Sequence, residues 1–221
     1  MEQQPQRLER STKPQLAVLV SGRGTTLDNL AVCCAAGTLN AEIAVVFSNR
    51  LHAGGLEIAK KHGIVPWICT KKYGPEKDPI GSHTTEEWSH KIFNEILSFS
   101  RPDLVVLAGF DQLLRIPDNY LNRVVNIHPS LLPKYGGKGM YGLHVHKAVI
   151  DNEEKVSGCT VHVVDNEYDH GTIISQKEVP VLPDDTPESL QARVQEAERE
   201  LYPLAIQEYL PKAVLLKGDR R

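Results

Sequence analysis

Asn126 and His128 stand two apart in the stretch VVNIHPSLLPKY (124–135), and their types define a small set of reactions. On an extended segment, residues two apart point to the same side, so an amide and an imidazole would share one surface. Such a pair can hold a developing oxyanion and move a proton. The same residues also read as a polar cap on a strand end, with a purely structural role. Pro129 and Pro133 stiffen the turns that follow, which suits either reading. A third candidate is Asp169, in the turn NEYDHG (166–171). If that turn folds over the end of the strand carrying His128, the carboxylate orients the ring and favours its charged form. Otherwise Asp169 is an ordinary turn aspartate.

A second group of candidates lies in SGRGTTLDNL (21–30). Gly22 and Gly24 permit a tight turn, and Thr25 and Thr26 add hydroxyls at the start of a helix, where unpaired N–H groups can receive an anion. A dinucleotide fingerprint needs a third glycine where this chain has Leu27. It also needs an acid at the end of the second strand, where Ser48, Asn49 and Arg50 stand. The loop therefore reads as a seat for a single phosphate, or as a tight turn that binds nothing. Gln195 and Glu198 are three apart and share one helical face, either solvated or turned to a ligand. His144, His146, His162 and His170 give no closed zinc-ligand spacing, and the four cysteines form no C-x-x-C pair, so no metal is expected.

The elements that must position these residues alternate. Strands are expected at 16–21, 42–49, 65–69, 102–110 and 123–128, each a short apolar run bounded by turn residues. Helices are expected through 25–36, 55–63 and near 84–100. Leu27, Leu30, Ala31 and Cys34 share one face of the first, and Gly37 ends it. After residue 150 the rhythm changes to two strands, 157–165 and 172–181, joined by NEYDHG as an antiparallel pair. A last helix begins with Thr186 as cap and Pro187 in its first turn. It runs to about Leu210, bent or broken near Pro203. The fold class is α/β: a doubly wound, mostly parallel sheet with an antiparallel C-terminal extension. Ligands in such sheets sit beyond the carboxyl ends of the strands, where Asn126 and His128 fall.

At 221 residues the chain suits one domain over 15–221 behind a polar, disordered extension, 1–14. Hydrophobic residues make up 41% and charged residues 24%, an ordinary globular balance. A net charge of −3 asks for neither nucleic acid nor an anionic membrane. No apolar run reaches membrane-spanning length and the opening residues lack a signal-peptide core, so a cytoplasmic protein with reduced thiols is expected.

NIHPSLLPKY, PDLVVLAGF, SGRGTTL and the aspartate of YDHG together resemble, in the same order, the phosphoribosylglycinamide formyltransferases, from about Leu16 to Leu210. The Asn-x-His-Pro-Ser-Leu-Leu-Pro run is specific for formyltransferases that use 10-formyltetrahydrofolate. The glycine loop narrows the likeness to the branch whose acceptor carries a phosphate. The resemblance implies a Rossmann-like formyltransferase fold and direct transfer in de novo purine biosynthesis. The amine of 5'-phosphoribosylglycinamide would attack the formyl carbon on N10 of the folate. Asn126 and protonated His128 would steady the tetrahedral oxyanion, and Asp169 would hold His128 charged and order a water. The resemblance also places the acceptor phosphate on Gly24, Thr25 and Thr26, and its ribose and glycinamide on Gln195 and Glu198. It places the folate along Asp111, Gln112, Leu113, Leu114, Asn126, Asp165 and Asp169. It further implies a cis Leu132–Pro133 bond, small-molecule partners only, and a monomer or homodimer.

Three departures stand out. The segment GGKGMYG (136–142) forms a longer glycine-rich lid, HTTEEWSH (83–90) lacks the arginine found in many relatives, and DQLL (111–114) replaces a Met-Arg start. A methionyl-tRNA formyltransferase would need a further basic C-terminal domain, whereas this chain ends near its last helix. A formyltetrahydrofolate hydrolase shares the Asn–His–Asp set but usually carries an N-terminal regulatory domain, which fifteen polar residues do not supply. A non-catalytic nucleotide-binding module would explain the sheet and the loop and leave the trio idle.

Overall fold

The computed structural model describes residues 12–70 and 85–218. The expectations for residues 1–11 and for the polar loop at 71–83 fall outside them. Among the described residues seven strands form one sheet: β1 (Gln15–Val20), β2 (Glu42–Ser48), β3 (Pro66–Ile68), β4 (Leu104–Leu107), β5 (Val124–His128), β6 (Val156–Val163) and β7 (Ile173–Pro180). Their order is β3-β2-β1-β4-β5-β6-β7. Pairings from β3 to β5 are parallel, and β5–β6 and β6–β7 are antiparallel. Growth of the sheet reverses between β1 and β4, which makes their carboxyl ends the topological switch point.

The continuous apolar run of β1 follows from burial on both faces. Leu16, Val18 and Val20 pack on one side with Leu27, Leu30, Val194, Tyr202 and Ile206, from α1 (Thr25–Ala36) and α5 (Pro187–Gly218). Ala17 and Leu19 pack on the other side with Phe47 and with Trp88, Ile92, Phe93 and Ile96 of α3 (Thr85–Phe99). No strand residue between Leu16 and Val20 is free to be polar, because each has lost its water. Truncating one of them, Leu19→Ala for example, should cost about 2–5 kcal/mol.

Two helices differ from expectation. α4 (Leu143–Asp151) follows the glycine-rich segment directly. Its buried face is Val145, His146 and Val149, and a histidine in that stripe hides the apolar period. α5 does not break at Pro203 or stop at Leu210; it continues to Gly218 through both Pro203 and Pro211. Pro203 removes the N–H that would bond the carbonyl of Arg199 four residues earlier. That carbonyl instead accepts a hydrogen bond from Asn29 Nδ2 at 2.9 Å. The start of α5 behaves as expected: Ser189 N–H donates to Thr186 Oγ1 and Thr186 N–H donates to Ser189 Oγ, a reciprocal cap.

Candidate active site

β5 ends on Asn126 and His128, and β6 lies antiparallel beside it with His162 opposite Asn126 and Thr160 opposite His128. The loop after His128 is held from within and from β6. Ser130 Oγ donates to Lys134 O at 2.7 Å, Thr160 Oγ1 donates to Ser130 O, and Leu132 N–H donates back to Thr160 Oγ1. Gln176 Nε2 of β7 donates to Leu132 O at 3.0 Å. The Leu132–Pro133 bond is cis, and Tyr135 adopts a left-handed φ of 56°. That turn aims the Tyr135 carbonyl back at His128, 2.8 Å from Nε2. The prolines therefore belong to a loop that grips the histidine.

The turn between β6 and β7 does fold over the end of β5. Asp169, in a left-handed conformation (φ 52°), places Oδ1 3.4 Å from His128 Nδ1. Its Oδ2 accepts the Gly137 N–H at 2.9 Å. Both nitrogens of the buried His128 ring thus face acceptors, a carbonyl and a carboxylate, which is the surrounding of a doubly protonated imidazole. Burial by itself would raise the Asp169 carboxyl. The His128 hydrogen bond and charge and the Gly137 N–H outweigh burial and hold the pKa below the ordinary carboxylate range. The segment 136–142 is accordingly tied to the trio at Gly137 and runs straight into α4.

A cavity of about 390 Å³ opens above these groups. Its wall includes Asn126, His128 and Asp169 with Thr25 and Thr26 from the start of α1. Gln195 and Glu198 of α5, and Asp111, Gln112, Leu113 and Leu114 from the loop after β4, line it as well. Gly24 and Asp165 are not in that wall. Gly24 sits behind it in a left-handed conformation, and a Cβ there would lie 2.5 Å from Gly55 Cα. Its role includes the close approach of α1 to α2 (Gly54–Lys61). Gly22 has open space around it and no left-handed φ, so the turn needs a glycine only at position 24. Asp165 turns instead to His170 Nδ1 and to the Glu167 N–H, each at 2.8 Å.

The departures acquire local causes. The Asp111 carboxylate is held by Asn49 Nδ2 at 2.9 Å and by Arg50, both at the end of β2. Burial would raise its pKa, but hydrogen bonds from Asn49, Ser21 and Gln112 and the Arg50 charge lower it. The side chain at position 111 therefore clamps the β4 loop to β2. On α3, Trp88 is stacked 5.9 Å from Phe110, and Ser89 Oγ accepts the Arg115 N–H, so that face of the helix braces the loop. His90 is exposed and outside the cavity wall, and His83 lies outside the described residues.

Three charged or titratable neighbours complete the site. Glu198 is half-buried, and desolvation pushes its carboxyl up to about 7 against the charges of His128 and Arg199. His146 on α4 is buried in the cavity wall, its Nδ1 without a partner among the described residues. Burial first, and then the His128 charge, lower its pKa to about 4. His162 is buried across the ladder from Asn126. The sequence shows His146 and His162 only as histidines without metal spacing; their relation to His128 exists only once α4 and β6 are packed. Among the described residues no group of three or more His, Cys, Asp or Glu is placed to hold a metal ion.

Residues 14–206 match the formyl transferase family. The phosphoribosylglycinamide formyltransferase of Escherichia coli K12 is 36% identical over 193 residues, 86% of this chain and 84% of that protein. The chloroplastic enzyme of that name from Arabidopsis thaliana is 36% identical over 192 residues, 86% of this chain. The chain spans 63% of the length of that Arabidopsis enzyme and 64% of the chloroplastic enzyme of the same name from Vigna unguiculata. Among solved structures, a phosphoribosylglycinamide formyltransferase from Brucella melitensis superposes with a TM-score of 0.77 at 36% identity, covering 90% of this chain and 96% of that one. A glycinamide ribonucleotide transformylase from Symbiobacterium toebii superposes with a TM-score of 0.79 at 34% identity, covering 90% and 89%.

Proposed function

Because this chain belongs to the formyl transferase family, we propose that it moves a formyl group from 10-formyltetrahydrofolate to the amino group of 5'-phosphoribosylglycinamide. The observation that carries the reading is the meeting of Asn126, His128 and Asp169 in one wall of a cavity whose other walls hold Thr25, Thr26, Gln195 and Glu198. In this reading Thr25 and Thr26, at the unpaired N–H groups of α1, take the acceptor phosphate. Gln195 and Glu198 take the ribose and glycinamide, and the loop Asp111–Leu114 takes the folate.

The acceptor amine attacks the formyl carbon, and the carbonyl oxygen becomes an oxyanion. An Asn126 N–H donates to it. His128 contributes its positive charge, since its own N–H groups serve Tyr135 and Asp169 in the resting site. Collapse breaks the bond from carbon to N10, and the proton lost by the attacking nitrogen passes through water ordered by Asp169 to N10. The reading needs neither a metal nor a covalent enzyme intermediate. It assigns the chain, as one formyltransferase domain in a monomer or homodimer, to the cytoplasm, where its four free thiols stay reduced. No helix among the described residues is long and apolar enough to cross a membrane.

The test is a formyl-transfer assay with the acceptor present and absent. Turnover that depends on 5'-phosphoribosylglycinamide supports the transferase. Equal release of formate without acceptor would make the chain a hydrolase, and no turnover in either case would leave a binding module.

A further inference from the structure

We propose that His162 is a positioning residue that decides which face of the Asn126 amide the cavity sees. The consequence for catalysis rests on the formyl-transfer reading; the geometry does not. His162 lies directly opposite Asn126 in the antiparallel ladder and is 2% exposed. Its Nδ1 is 3.0 Å from the carbonyl oxygen of Val163. A carbonyl can only accept, so Nδ1 carries the proton. Burial keeps the ring neutral, its pKa lowered in spite of the Val163 carbonyl and Asp169. A neutral ring protonated at Nδ1 has a bare acceptor at Nε2. The group of Asn126 that lies 3.2 Å from Nε2 is therefore the amide NH2. The flipped amide would set its oxygen against a nitrogen lone pair. With Nδ2 fixed, its second N–H is left for the cavity, and a donor is what a developing oxyanion requires.

The same tautomer protects Asp169. Its Oδ1 lies 3.4 Å from His128 Nδ1 and 3.7 Å from His162 Nε2. A bare Nε2 cannot donate to the carboxylate, so of the two rings only His128 can claim it. A proton on Nε2 would compete for Asp169 and turn the Asn126 amide around. One buried tautomer thus arms two members of the trio, although His162 itself touches neither substrate nor oxyanion.

The direct test is ¹⁵N NMR of the His162 ring in the wild-type, ligand-free protein at neutral pH. Nδ1 protonated and Nε2 bare is expected; a proton on Nε2 overturns the proposal, whatever the activity. Kinetics supply the consequence. His162→Phe keeps a ring but loses the acceptor, and kcat should fall roughly 10²-fold while both KM values stay within about twofold. His162→Gln carries a carbonyl that can accept from Asn126 and should recover about tenfold of that loss. Added to Asn126→Ala, either change should cost little more. Full kcat in His162→Phe, equal losses in Phe and Gln variants of wild-type Tm, or multiplied losses with Asn126→Ala would each sink the idea. A Phe variant that does not fold leaves the NMR test and the Gln variant in force. A wild-type protein without transferase activity but with the Nδ1 tautomer would refute the functional reading and leave the geometry standing.

Discussion

Asp169→Asn removes one charge from the centre of the site and almost no volume, so its effect isolates electrostatics. Oδ1 lies 3.4 Å from His128 Nδ1, and the aspartate side chain is 13% exposed. Two opposite charges at that separation attract by about 5 kcal/mol at an effective dielectric constant of 20. Burial of both groups offsets part of that attraction, as does the Gly137 hydrogen bond, which the amide oxygen of Asn can still accept. A net loss of about 3–5 kcal/mol corresponds to roughly 10²–10⁴ in rate, the range usual for acid–base groups. The expected variant is folded, with near-normal KM values and kcat reduced by that factor. His128→Ala should be as damaging, and the double variant little worse than either, because the two groups act as a unit. The assay is steady-state formyl transfer with both substrates saturating, checked against Tm. Full activity in Asp169→Asn would refute the pairing, and losses that multiply in the double variant would show two independent roles.

Thr25→Val and Thr26→Val should each raise the acceptor KM roughly tenfold or more and leave the folate KM alone, since each removes a donor to a charged group; initial-rate kinetics decide it. Gly24→Val is a different perturbation: its Cβ would meet Gly55 Cα, so a loss of about 1–3 kcal/mol should appear in chemical denaturation, whatever happens to binding. Glu198 has a folded-state pKa raised to about 7, so stability is fully present below its unfolded value and declines as pH rises toward 7. Glu198→Gln should accordingly raise Tm by roughly 7–14 °C at pH 8 and hardly at all at pH 4, and an equal gain at both would remove desolvation as the cause. Asn29→Ala leaves the Arg199 carbonyl without its donor opposite Pro203 and should cost about 0.5–1.5 kcal/mol, read by urea unfolding.

The elements of the parallel half were legible in the sequence because their signals are local. A strand buried on both faces is a continuous apolar run, and Gly37 and Thr186 carry helix-end chemistry in their own atoms. Asn126 and His128 were legible for the same reason, since their common side follows from the spacing of two residues on one strand. Other features depended on contacts between distant segments. Whether Pro203 breaks α5 is decided by Asn29, a residue on another helix that serves the carbonyl the proline abandons. That the Asp111 carboxylate ties the β4 loop to β2 is decided by Asn49 and Arg50, residues distant in the chain. The sequence by itself determined the order of strands and helices and the candidate chemistry at the end of β5, because periodicity and residue type act within a few residues. Only the tertiary structure decided that Asp169 reaches His128, that His162 orients Asn126 and that Glu198 is poised near pH 7. Those states depend on burial and on charges brought close by packing, and neither quantity exists along an unfolded chain.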